Sequence, residues 1–217
     1  MFARLCSCKY SILLLSLFLV VAGCATRQQY ATTQVQAINL THDNLQRDGI
    51  AFITPSSITG QEEDRQSLAQ AFILALREKR PELHSVSLPE TLSAINRQGL
   101  TSEYKRMYED YALTGIFERE KLRNVSTVAG ARYLAQLKLQ SFQQDSKGRW
   151  GALGLRILET QITRMRLYLQ IWDANDGSVA WEGSQELVFA REGVSEDGMT
   201  FRRAAQEASE SMIKKLP

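Results

Sequence analysis

Residues 163–190, TRMRLYLQIWDANDGSVAWEGSQELVFA, alternate in a way that decides the fold. Met165, Leu167, Leu169 and Ile171 fall on one side of an extended chain, and Arg164, Arg166, Tyr168, Gln170 and Trp172 fall on the other. A period of two with one apolar side marks a strand that packs inward on a core and faces water outward. Asn175-Asp176-Gly177 supplies a tight turn, so the chain returns through 179–190 as a hairpin. Glu182 and Glu186 then share the outer face with Arg164 and Arg166, and cross-strand ion pairs are expected.

Working upstream, ARYLAQLKLQSF (131–142) has the same period, with Tyr133, Ala135, Leu137 and Leu139 inward and Gln136, Lys138 and Gln140 on a wet outer side. A three-strand antiparallel meander follows. Its first two strands are joined by SKGRWGALGLRILETQ (146–161), which carries Gly148, Gly151 and Gly154 beside apolar Trp150, Leu153 and Leu155. A phosphate loop would need a following helix and a placed lysine, and the stretch has neither. Two readings stay open: a long hairpin tip bent over the core, or an exposed apolar patch that touches lipid or a partner. Downstream, Thr200 caps a closing helix with Phe201, Ala205, Ala208, Met212 and Leu216 along one face.

The earlier half reads as strand and helices. RDGIAFITP (47–55) is a short, continuously apolar run, which suits a strand buried on both faces inside the sheet. Thr59-Gly60-Gln61-Glu62 has the capping-box spacing, and Glu62, Glu63 and Asp64 set negative charge at a helix start, a cheaper account of the trio than a metal site. Leu68, Phe72, Ala75 and Leu76 form that helix's stripe, and Pro81 stops it. A short strand around Val86 leads to a helix with Pro89 at its first position and Gly99 past its end. Tyr104, Met107, Tyr108 and Tyr111 recur at helical spacing, a stripe better suited to core packing than to a ligand-stacking platform. Gly115 ends that helix, and another with Leu122, Val125 and Ala129 inward ends at Gly130. The sum is an α+β fold: a mixed sheet with a C-terminal antiparallel meander, helices packed on one face and a closing C-terminal helix, in a single domain over 46–217.

The amino end is an address. The apolar run Ile12–Ala22 has 11 residues, too few at 1.5 Å each to cross a hydrocarbon core of about 30 Å. Arg4 and Lys9 precede it, as in a secretory signal. Val21-Ala22-Gly23-Cys24 resembles the lipobox of bacterial lipoproteins, which implies cleavage between Gly23 and Cys24, a diacylglycerol on the thiol and an acyl chain on the new amino group. Each buried methylene is worth about 0.8 kcal/mol, so two or three chains hold a protein on a bilayer. By the same resemblance Ala25, where an aspartate would retain the protein at the inner membrane, implies the periplasmic face of the outer membrane. Cys6 and Cys8 leave with the signal, so the mature chain has no thiols for a disulfide or a metal site, and no dissociable cofactor is expected. Losing Arg4 and Lys9 brings 26 basic residues to 24, equal to the 24 acidic ones, a balance without a nucleic-acid footprint. Residues 24–45, rich in Gln, Thr and Asn, read as a lipidated tether.

No catalytic spacing stands out. His42 lies in the tether and His84 is isolated before a strand, while Asp173 and Asp176 flank a turn that explains them. GIAFITP, VAGARYLAQLKLQSF and LYLQIWDANDGSVAWEGS together resemble the fold shared by the CsgG curli-secretion lipoprotein, the LpoB-type activators of penicillin-binding proteins and the amino-terminal domain of TolB. The resemblance covers most of the chain after residue 46 and implies a periplasmic module acting in envelope assembly or transport. A CsgG-like pore subunit carries two membrane hairpins where this chain has room for one, in 148–163, and an LpoB-like activator needs a longer tether. The expectation is a non-enzymatic accessory module held at the membrane by its lipid anchor, with an envelope protein partner and an open oligomeric state. A secretion-pore subunit and a hydrolase with an unrecognised site are the alternatives. Trp150, Leu153, Arg166, Tyr168 and Trp172 are the candidate partner surface.

Overall fold

Four long strands set the frame. The computed structural model describes residues 27–150, 156–193 and 199–217. In chain order these form β1 (Arg27–Ala37), α1 (His42–Asp48), β2 (Ile50–Phe52), β3 (Ser56–Ser57), α2 (Glu62–Lys79), β4 (Ser85–Val86), α3 (Leu88–Arg97), α4 (Thr101–Thr114), α5 (Arg119–Ala129), β5 (Tyr133–Trp150), β6 (Arg156–Asp173), β7 (Val179–Gly193) and α6 (Phe201–Ile213). The sheet order is β1-β7-β6-β5-β2-β4, with β3 also on β5. β1, β7, β6 and β5 pair antiparallel, whereas β5, β2 and β4 are parallel, so the sheet is mixed.

The inward residues of the meander meet in one core. Leu169 stands opposite Leu137 and Gly183, and Met165 opposite Phe142 and Leu187. A bulge between Leu139 and Ser141 keeps this register inward-facing as β5 lengthens. α2 and α6 lie on this face with Leu68, Phe72, Leu76, Ala205, Ala208 and Met212 around Trp181, which is fully buried. Gly183 makes room for that ring: a Cβ there would overlap the indole and stand 3.1 Å from Met212 Cε.

Several elements differ from the sequence reading. The helices divide between two faces, because α3, α4 and α5 cover the opposite side of the sheet near the start of β5. There Ile95, Met107, Phe117, Leu122 and Val125 pack on Ala51, Ile53, Leu134 and Trp172. Gln136 is consequently buried where a wet side was expected. The stretch expected as tether contains β1, paired with β7 along its whole length, and the first turn of α1. An edge strand exposed on both faces needs little apolar sequence, since backbone pairing holds it. Thr59 does not cap α2; Gln61 takes that position, and the Thr59 hydroxyl instead donates to Asp64 at 2.7 Å. A capping box does form on α3, where Ser87 and Glu90 bond reciprocally and Pro89 lies in the first turn. The closing helix, its Thr200 cap and the 175–177 turn are as expected.

Arg132, just ahead of β5, ties three segments together. Its Nε and Nη2 donate to the two oxygens of Asp173 at 2.9 and 2.6 Å, and Nη1 donates to Asp48 at 2.8 Å. Replacing Arg132 with Met should lower folding stability by about 2–4 kcal/mol in urea titrations, because the buried Asp173 carboxyl loses its bidentate guanidinium partner. Arg47, and then Arg132, hold the Asp48 carboxyl below the usual carboxylate range. A depressed folded value means that this stabilisation is complete above pH about 4 and lost as pH falls through the lowered value. Acid titration of stability should therefore bend downward below pH about 4, and less steeply in the Met variant. Gly183→Ala should cost about 1–3 kcal/mol by the same measurement, as the Trp181 ring has to move.

Candidate interaction surface

Among the described residues, the second face of the sheet is open beyond the cover of α3–α5. β6 and β7 line it with a ladder of charges and amides. Arg166 Nη2 donates to Glu186 Oε1 at 3.2 Å, as the alternation anticipates. Arg164 turns to β5 and donates to Asp145 at 2.8 Å, while Glu182 accepts from Gln170 Nε2 at 2.5 Å. Tyr168 lies half-buried between these pairs. With Thr32 and Gln34 of β1, Arg166, Tyr168 and Ser184 line a shallow depression of about 200 Å³. The charges pair across strands, so the face sets residues of both signs side by side.

Where the ladder meets the helices, a tyrosine network takes over. The Tyr111 hydroxyl donates to Gln170 at 3.4 Å, and its ring stacks on Phe117 with centroids 4.1 Å apart. Tyr108 donates to the Thr54 carbonyl at 2.7 Å and lies 3.0 Å from Gln136 Oε1. The Thr54 amide donates to the Tyr104 hydroxyl at 2.9 Å, and Gln136 Nε2 donates to Ser56 at 2.9 Å. Burial raises the pKa values of Tyr104 and Tyr108, the latter strongly, so both act as neutral hydroxyls. The stripe is therefore packing with polar tips that fix the loop after β2.

The expected partner residues separate. Arg166 and Tyr168 share the open face. Trp172 does not: it is 4% exposed, edge-on to Phe117 at 5.2 Å, because α4 and α5 cover its end of the strand. Its indole N–H has no hydrogen-bond partner among the described residues. Gly23, Cys24 and Leu153 lie outside the described residues, as does the side chain of Trp150. His42 is 2.8 Å from Arg80, and the His84 carbonyl accepts from Ile50. Asp173 and Asp176 accept from backbone amides in the turn, as expected. The Arg132 link to Asp173 is the part that spacing does not reveal. Among the described residues no group of three or more His, Cys, Asp or Glu is arranged to hold a metal. Glu62 pairs with Arg65 at 3.0 Å.

No protein-family model matches the chain, and no curated protein sequence matches it. Among solved structures it is similar to the PelC dodecamer from Paraburkholderia phytofirmans, at 13% identity and a TM-score of 0.45, over 86% of this chain and 97% of that one. Lipoprotein GNA1162 from Neisseria meningitidis is similar at 8% identity and a TM-score of 0.38, over 77% and 96% of the two chains. Rare lipoprotein B from Shewanella oneidensis follows at 9% and 0.33, over 76% and 89%. Likeness at this level leaves function to the chain's own residues.

Truncating either partner of the exposed Arg166–Glu186 pair should change stability by no more than about 1 kcal/mol. Tyr108→Phe should cost about 1–3 kcal/mol, since it strips a donor from buried acceptors. Thermal denaturation of the three variants checks both.

Proposed function

We propose that the chain is a lipid-anchored protein of the bacterial cell envelope that works as a non-enzymatic interaction module. One observation carries this reading: Val21-Ala22-Gly23-Cys24 closes an 11-residue apolar run led by Arg4 and Lys9. Ala25 favours the periplasmic face of the outer membrane, with diacylglycerol and an amide-linked acyl chain on Cys24 as the anchor. The open, ion-paired sheet face around Arg166 and Tyr168 supports an envelope protein as the partner. The chain segments that resemble CsgG, LpoB-type activators and the TolB amino-terminal domain lie on β2, β5 and the β6–β7 hairpin. That placement supports the finer family reading, because those strands build the core.

The start of β1 at Arg27 bears on how the module works. Cys24 and Arg27 are three residues apart, at most about 10 Å of chain. A module strapped so closely acts at the surface of its own membrane, which distinguishes it from an activator that reaches across the cell wall.

Globomycin, or Cys24→Ala, should leave the precursor unprocessed and remove the protein from the outer-membrane fraction. Mass spectrometry of the mature protein should give Cys24 with three acyl chains. Normal processing with a free thiol would refute the anchor. Turnover of a substrate by the purified domain would favour the hydrolase reading instead.

A further inference from the structure

One end of the sheet carries a mismatch in length. β1 begins at Arg27 opposite Arg191 of β7, Arg191 faces Gln161 of β6, and Gln161 faces Ser146 of β5. The chain enters the sheet at this row, since β1 runs from it toward the other end of the sheet. β5 and β6 continue past the row on the side from which the chain enters β1 and stay paired through Lys147↔Thr160, Arg149↔Leu158 and Trp150↔Arg156. At about 3.4 Å per residue, the five residues from Gln161 to Arg156 carry the hairpin roughly 17 Å beyond it. The strap from Arg27 back to Cys24 spans at most about 10 Å.

With its acyl chains in the hydrocarbon, so short a strap cannot lift the row far enough to clear the hairpin. Turning the hairpin away would instead lay the edge strand β1 along the bilayer, and its exposed residues after Arg27 are uncharged and mostly polar. The residue types suit the remaining arrangement: Lys147, Arg149 and Arg156 are cationic, and Trp150, Ile157 and Leu158 are apolar. Basic residues beside an aromatic are the composition that settles at a membrane interface.

We propose that the paired end of the β5–β6 hairpin, residues 147–150 and 156–158, rests in the headgroup layer of the bilayer that holds Cys24. Anchor and hairpin then fix the orientation of the domain as two points of attachment, with the 175–177 turn directed away from the membrane. The proposal rests on the lipid-anchor reading, and its test separates the two.

An acylated Cys24 is the sole cysteine of the mature chain, so an introduced cysteine is a unique thiol. Full-length Arg149→Cys, Arg156→Cys and Asn175→Cys proteins are purified with their lipid, labelled with an environment-sensitive fluorophore and reconstituted in phosphatidylethanolamine–phosphatidylglycerol vesicles. Asn175 is exposed at the far end of β6. Labels at 149 and 156 should be quenched several-fold more than the label at 175 by lipids with a headgroup-level quencher, with emission shifted to the blue. Two hairpin positions guard against one substitution disturbing the strand pairing. Equal quenching at all three positions, in protein whose Cys24 is acylated by mass spectrometry, overturns the orientation and leaves the anchor standing. A free Cys24 thiol removes the strap and overturns both.

Discussion

The guanidinium of Arg132 holds the point from which the sheet is built. Its side chain clamps Asp173 at the end of β6 and Asp48 ahead of β2, and its amide donates to the Asp48 carbonyl at 2.9 Å. The parallel β2–β5 ladder and the antiparallel β5–β6 ladder both start beside it, at Ile50↔Tyr133 and Tyr133↔Asp173. From that row the β5–β6 pairing runs outward with a bulge after Leu139, so where Arg132 sets the strands also decides how far their hairpin projects. A planar, bidentate donor suits the task, because it fixes direction as well as distance.

The two faces of the sheet divide the work. Trp181 over Gly183, together with small residues on α6, lets two helices sit close to the long strands. Among the described residues, the other face is covered only near the start of β5, where Phe117, Trp172 and the tyrosines of α4 form a second core. Farther along, the same strands carry Arg164, Arg166 and their acidic partners in the open. One set of strands therefore supplies both stability and a polar surface, because successive residues point to opposite faces.

β1 ties the first described residues into the sheet. A strand that starts at Arg27 and pairs along its whole length with β7 makes residues 27–37 the edge of the sheet, where a loose linker was expected. Thr33 joins that edge to the core side through Gln185 and Ser211. The polar composition that suggests a loose linker is the composition of a strand with water on both sides.

Local pattern determined the meander, the interior position of β2, the helix stops at Gly115 and Gly130 and the cap at Thr200, because each depends on residues near in sequence and on periods of two or 3.6. Tertiary structure alone decided that Trp172 and Gln136 are buried, that Arg132 meets Asp48 and Asp173, and that residues 27–37 complete the sheet. Alternation tells which residues share a face but not what will cover it. The cover comes from helices far along the chain, and its position is fixed only when the whole sheet has formed.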